Sequence, residues 1–334
     1  MEHIQLTGTH YEAGFQWGSL LFRRQIILTD HIPFPITRER VDFARACLPV
    51  YAAHFPQILE ELRGLADGQR CDAEILQAVL FSMYAIPPAC GCSCFAAATD
   101  KGVLLGRNSD FLTALEGNNC NVIYRLSGGG HAFTGNTTSF LQMEDGVNDC
   151  GLAAGLTSVG PTGRKPGFNA GLLLRYLLEH CESVAQAVAQ VGRLPLASAM
   201  TLTLADPSGA IAVVECDHQK LETAPPPGQS ARFVCATNSF HLPGMAGRRW
   251  EREDDWSADE RYETMTSALG RHAPDLAFAR ALLSGEHGFL CQYDRSTGRD
   301  TVWSVICDLT GRRIFRSEGN PRRSPYAQDL RFSF

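Results

Sequence analysis

The stretch Ala89-Cys90-Gly91-Cys92-Ser93-Cys94-Phe95, read together with Gly106-Arg107-Asn108-Ser109-Asp110-Phe111, decides how the chain is organised. Three cysteines alternate, and on an extended chain alternating residues share a face. Upstream, Asp72-Ala73-Glu74-Ile75 reads as the capped start of a helix running toward Tyr84, which Pro87-Pro88 stops. Downstream, Ser93 to Thr99 and Val103 to Ser109 flank Asp100-Lys101-Gly102, the pattern of a β-hairpin with a glycine-containing loop. The cysteines therefore sit where helix gives way to strand. A loop of Asp100 to Gly102 makes the pairing symmetric about Lys101 and puts Cys92 opposite Asp110, with Arg107 nearby. A cation beside a thiol favours the thiolate, which is the nucleophile. Two plainer readings stand beside this one. A cysteine in an apolar hairpin is ordinarily inert core, and Cys90, Cys92 and Cys94 together suggest a metal or redox protein. Zinc sites, however, usually space their ligands by two residues and add a second pair.

Residues 1 to 86 read as mainly helical, with apolar residues at helical spacing over Tyr11 to Leu28 and Ile58 to Ala66. After Pro88 the character changes. Val122 to Leu126 and His131 to Gly135 flank three glycines as a second hairpin, and Gly151 to Val159 reads as a strand. Pro166 to Gly192 is predicted as one long helical region. Thr201 to Ala205 and Ala210 to Cys216 flank Asp206-Pro207-Ser208-Gly209 as a third hairpin. Arg232 to Thr237 is a further strand, Asp259 to Leu269 and Pro274 to Leu283 are helices, and Thr301 to Cys307 with Arg313 to Arg316 form a last hairpin. Antiparallel hairpins mixed with long helices argue for an α+β fold with helices covering the sheet faces. Glu251 to Asp255, the most charged stretch, reads as a surface loop.

Composition narrows the function. The 334 residues are 44% hydrophobic, and 30 basic against 36 acidic side chains leave a net charge of −6. A mildly acidic chain without a Lys/Arg run offers no general attraction to nucleic acid or an anionic membrane. No apolar run reaches the roughly 18 residues of a membrane helix, and Met1-Glu2-His3-Ile4-Gln5 does not open like a secretion signal. Twelve cysteines, mostly in apolar runs, read as free thiols of a cytoplasmic protein.

The Gly91–Ala96 and Gly106–Phe111 segments resemble the start of the mature chain in the choloylglycine hydrolase and penicillin acyl-coenzyme A acyltransferase group. The resemblance runs both ways. Gly8-Thr9-His10-Tyr11-Glu12-Ala13-Gly14 with Gly18 resembles the leader of the acyltransferase branch. Asn148-Asp149-Cys150-Gly151-Leu152, Ala236-Thr237-Asn238-Ser239-Phe240, Arg261-Tyr262, Thr301 with Ser304, and Gly319-Asn320-Pro321 resemble later motifs in order. The resemblance implies an αββα sandwich of the N-terminal-nucleophile type. It also implies a helical leader, residues 1–91, cut from a catalytic domain, residues 92–334, between Gly91 and Cys92, yet still packed on it. Cys92 is then the nucleophile, Arg107 and Asp110 the pair near it, Asn238 an oxyanion donor and Arg261 the second active-site arginine. Bile-salt hydrolases carry an asparagine where this chain has Thr157, which weakens that substrate assignment and makes Thr157 the candidate substrate contact.

The chemistry asks for these residue types on its own. Amide hydrolysis needs a nucleophile, a base and donors for the oxyanion. A cysteine made N-terminal carries its base with it, since a terminal amine titrates at roughly 7.7–8.0. None of the ten histidines lies in a recognisable catalytic motif, although His241 near Asn238 suggests a papain-like alternative. The expected partner is a small N-acyl amide, with an acyl thioester donor where transfer replaces hydrolysis. No cofactor or metal is called for, and the associated fragments are compatible with a homo-oligomer. A non-catalytic binding relative of the same fold is the competing reading.

Overall fold

The computed structural model describes residues 1–32, 34–86, 91–160, 163–226, 228–248 and 256–334. The leader opens with a strand, β1 (Glu2–Gly8), where the sequence reading expects helix. Ile4 and Leu6 point inward and His3 and Gln5 outward, the period-two pattern of a half-buried strand. Helices α1 (His10–Arg23), α2 (Arg38–His54), α3 (Pro56–Gln69) and α4 (Ala73–Ser82) follow. Thr9 and Glu12 form a capping box on α1, and Asp72 caps α4 as its sequence predicts. Helices α1 and α3 meet backbone to backbone. A Cβ on Gly14 would lie 1.9 Å from the Glu61 carbonyl oxygen, and one on Gly64 would lie 2.0 Å from that of Tyr11. Gly14 therefore serves helix packing.

The remaining chain forms β2 (Gly91–Thr99), β3 (Gly102–Leu112), β4 (Cys120–Leu126), β5 (Phe133–Thr137), β6 (Asp145–Asn148) and β7 (Ala153–Ser158). Helices α5 (Ala170–His180) and α6 (Val184–Val191) come next, then β8 (Met200–Ala205), β9 (Ile211–Cys216), β10 (Leu221–Ala224) and β11 (Phe233–Ala236). Helices α7 (Ala258–Arg271) and α8 (Leu276–Leu283) precede β12 (Arg299–Asp308), β13 (Arg313–Ser317) and β14 (Ala327–Asp329). Among the described residues two sheets result, ordered β1-β4-β5-β6-β7-β8-β9-β10 and β11-β2-β3-β12-β13-β14. Cys94, Ala96 and Leu105 of one sheet pack against Ile123, Val147 and Val213 of the other. Helices α1 to α6 cover the outer face of the larger sheet, and Met265, Leu269 and Leu282 of α7 and α8 cover that of the smaller. The layers are αββα, as the resemblance implied.

The leader is built into this frame. Strand β1 pairs in parallel with β4 at the edge of the larger sheet. Beneath it lies a buried ion cluster, in which Arg175 of α5 donates to Glu61 of α3 (2.9 Å) and Glu179 (3.1 Å), and Glu179 meets His10 Nε2 at 2.5 Å.

Three expectations need correction. The long helical region of Pro166 to Gly192 divides into α5 and α6, because Ser183 caps α6 afresh. The strand read from Gly151 begins only at Ala153, after the β6–β7 turn, where Asn148 at the end of β6 accepts the Leu152 N–H and donates to the carbonyls of Leu178 and Cys181. The β2–β3 loop is two residues, not three. Thr99 pairs with Gly102, and its hydroxyl accepts the Lys101 N–H. The register slips by one, so Gly91 faces Asp110 and Cys92 faces Ser109. A one-residue slip exchanges the faces, so Asp110 leaves the side of the strand that carries Cys92. Cys90 and Glu251–Asp255 lie outside the described residues.

Candidate active site

Cys92 is the second residue of β2, 5% exposed, and faces between the sheets. Arg107, opposite Cys94 in register, spans the layer between them. Its Nη2 lies 2.9 Å from Cys92 Sγ, its Nη1 3.0 Å from Asp145 Oδ2 and its Nε 3.0 Å from the Leu156 carbonyl oxygen. Glu144 stands 3.6 Å away. Gly155 makes the crossing feasible, because a Cβ there would lie 2.5 Å from Cys94 Sγ and 3.2 Å from Arg107 Cδ. Burial alone would weaken the guanidinium's hold on its proton. Cys92, Asp145 and Glu144 beside it raise its pKa above the ordinary value instead. Burial likewise raises the Glu144 carboxyl, against the pull of Arg107 and Thr138.

A second group grips the backbone of Cys92. Asn238, just past β11, accepts the Cys92 N–H at its Oδ1 (2.7 Å) and donates its Nδ2 to the Ser158 carbonyl (2.9 Å). Arg261, in the first turn of α7, donates to the Cys92 carbonyl, to Ser93 Oγ (2.9 Å) and to Asn238 Oδ1 (3.0 Å). Asp110 sits 3.6 Å from Arg261 and accepts from Thr301 Oγ1 (2.6 Å) and Tyr293 OH (3.1 Å). Burial raises its carboxyl above the usual range, opposed by Arg261 and those hydroxyls.

The candidate residues thus converge on Cys92, but not as paired in the sequence reading. Arg107 and Asp110 are split between the two faces of β3. Arg107 takes Asp145 and Glu144 as its carboxylates, and Asp110 takes Arg261. Thr157, expected at the substrate, is fully buried and its hydroxyl donates to the Thr237 carbonyl (2.6 Å), backing the peptide that leads into Asn238. His241 stacks on Tyr262, ring centroids 3.5 Å apart, with Nε2 turned toward Thr237 Oγ1 and Asp259. Cys94 is buried, and burial pushes its thiol up to about 12 despite Arg107. The sequence reading missed Asp145, Glu144, Tyr293 and Trp303, whose indole donates to Asp145 (2.9 Å). An adjacent acidic pair between apolar Met143 and Val147 was the signal for the first two.

A cavity of about 350 Å³ opens on the leader side. Trp17, Leu21, Phe34 and Met83 from residues 1–91 and Phe111 and Phe140 from the rest of the chain line it, and Glu144 also forms part of the wall. It is mostly apolar, and Glu144 connects it to Arg107.

The chain belongs to the acyl-coenzyme A:6-aminopenicillanic acid acyl-transferase family, whose model matches residues 97–323. That span holds Arg107, Asp110, Thr157, Asn238 and Arg261, and begins just after Cys92. Similar solved structures include penicillin V acylase from Agrobacterium tumefaciens, 17% identical with a TM-score of 0.48, covering 68% of this chain and 82% of that one. A Caenorhabditis elegans N-acylethanolamine-hydrolyzing acid amidase ortholog is also 17% identical, at TM-score 0.49, over 66% and 93%. A variant of conjugated bile acid hydrolase from Clostridium perfringens is 13% identical, at TM-score 0.49, over 73% and 97%. No curated protein sequence matches the chain. Among the described residues no helix is long and apolar enough to cross a membrane.

Proposed function

We propose that this chain is a self-processing cysteine amidase that hydrolyses the linear amide of an N-acyl small molecule through a thioester on Cys92. The carrying observation is the Arg107 guanidinium 2.9 Å from Cys92 Sγ, together with Asn238 on the Cys92 nitrogen. In the uncut chain, Sγ attacks the Gly91 carbonyl carbon. The peptide nitrogen leaves with a proton as the new α-amine, and water opens the resulting thioester to a Gly91 carboxylate. The amine then serves as the base, carried on the nucleophile's own residue. Asn238 Oδ1 already accepts from this nitrogen, and Arg261 locks that oxygen in place.

In turnover the α-amine takes the thiol proton and Arg107 stabilises negative charge on sulfur. Attack on the substrate carbonyl forms the acyl thioester, and the protonated amine returns its proton to the leaving nitrogen. Water, deprotonated by the same amine, then releases the acid. An acceptor amine in place of water makes the reaction an acyl transfer. Asp110 works through Arg261 and Thr157 through the Thr237–Asn238 peptide, so both are positioning residues. The apolar cavity next to Glu144 favours a large apolar acyl group, and both fragments line it, so the cut leader must stay bound.

The test is a panel of N-acyl amino acids, penicillins, conjugated bile salts and fatty-acyl amides, with hydroxylamine trapping and mass mapping of the acyl-enzyme. Turnover of an amide with an apolar acyl chain and an adduct on Cys92 are expected. Saturable ligand binding with no turnover and no adduct on Cys92 would make the protein a binding relative of the family.

A further inference from the structure

We propose that His131, Asp149 and Cys150 form a structural zinc site that staples the β4–β5 connection to the β6–β7 turn. His131 ends the first of these loops, and Asp149-Cys150 form the second. The turn lies at the opposite end of β6 and β7 from Asp145 and Thr157, so this cluster is separate from the Cys92 site.

Three ligand atoms converge within 4.8 Å of one another. His131 Nδ1 lies 3.0 Å from Asp149 Oδ1 and 3.4 Å from Cys150 Sγ. A tetrahedral Zn²⁺ with bonds of about 2.0–2.3 Å has ligand atoms about 3.3–3.7 Å apart. The two spacings to His131 need adjustment by only a few tenths of an ångström, and the Asp149 and Cys150 ligand atoms close in from within 4.8 Å. The surroundings hold the ligands in pose. Asp149 Oδ2 accepts the Ala132 N–H at 3.1 Å, and Glu182 Oε1 stands 3.9 Å from the other ring nitrogen, Nε2. A metal-bound histidine normally turns its second N–H toward a carboxylate in this way. Thiolate, imidazole and carboxylate are donors for zinc rather than for calcium or magnesium. His131 and Cys150 are half-buried and Asp149 exposed, which leaves the fourth position to water.

The protons balance. The Cys150 thiol releases its proton to solvent, and the imidazole stays neutral with its proton on Nε2, facing Glu182. Because binding releases the thiol proton, it strengthens as pH rises.

Cobalt(II) titration of the full chain, in a non-thiol reductant, tests this without reference to activity. One equivalent should bind with a thiolate-to-cobalt charge-transfer band that zinc abolishes. The band should vanish in Cys150→Ser and in Asp149→Asn,Cys150→Ser, survive in Cys92→Ser, and need roughly 10- to 100-fold more cobalt in Glu182→Gln. No band, a band that survives Cys150→Ser, or one that disappears with Cys92→Ser overturns the site. Circular dichroism of each variant distinguishes lost ligation from lost folding.

Discussion

Arg107 and Arg175 are both fully buried, and each lies between two carboxylates, Asp145 and Glu144 in one case, Glu61 and Glu179 in the other. In both, burial works against the charge and the neighbouring acids restore it. The difference is in what else they touch. Arg175 is closed in by the rings of Tyr124 and Phe133, 3.7 Å and 4.8 Å from its guanidinium carbon, and donates to the Leu141 carbonyl. Arg107 turns one donor to the sulfur of Cys92. Burial and ion pairing are common to a joint and to a reactive centre, so neither marks function by itself. The partner atom distinguishes them: carboxylates contributed by α3 and α5 make a clamp, and a thiol makes a candidate site.

Removing each arginine in turn separates the two roles. Arg107→Met and Arg175→Met each strand buried carboxylates and should cost about 3–5 kcal/mol in urea unfolding. Neutralising the partners, with Glu144→Gln and Asp145→Asn in one background and Glu61→Gln and Glu179→Gln in the other, should recover most of that stability. Turnover should return only in the Arg175 background. Normal turnover in the Arg107 triple variant would reduce that residue to a second clamp.

Asn238→Ala removes the acceptor on the Cys92 nitrogen and the amide N–H left for an oxyanion after the bond to Ser158, and should lower kcat on the order of 100- to 1,000-fold with KM changed less. A loss confined to KM would move Asn238 to the substrate wall.

A smaller effect follows from pH. Burial tends to raise the Glu179 carboxyl, but Arg175 and His10 hold it down to about 2, below its ordinary 4.5. A depressed carboxyl contributes stability that is present above the ordinary value and is lost as pH falls through the folded one. Leader retention, followed by size-exclusion chromatography after cleavage, should therefore weaken between pH 4.5 and about 2, and Glu179→Gln should flatten that slope. An unchanged slope would place the acid-labile contact elsewhere. The smallest effect is expected for Thr157→Val, which removes the hydroxyl bond to Thr237 and should cost about 1 kcal/mol with kcat reduced less than tenfold. A larger loss in KM would restore Thr157 as a substrate contact.

Much of this architecture was legible in the chain. Hairpins with glycine-marked loops and helices with side-chain caps announce themselves locally, and Asp72, Asp100-Lys101 and Gly128 to Gly130 did so. Strand β1 was not read, although Ile4-Gln5-Leu6 alternates, because a short strand before a strong helical pattern carries little periodicity. The one-residue slip at Lys101 was beyond pattern reading, since a two-residue and a three-residue loop both fit Asp100-Lys101-Gly102. That slip decides the site, because it sends Asp110 to Arg261 and leaves Arg107 to Asp145. Asp145 comes from the other sheet, and pairings across a sandwich layer leave no spacing in the sequence.

Cys92 becomes an N-terminal nucleophile, on the proposed mechanism, only by self-cleavage. Intact mass and N-terminal sequencing of the purified protein, beside Cys92→Ala, test it most directly. The expected result is two fragments, residues 1–91 and 92–334, that co-purify, with the second beginning at Cys92 and Cys92→Ala remaining a single chain. A wild-type chain that stays uncut yet turns over amides, or a second fragment that begins at any other residue, would contradict it.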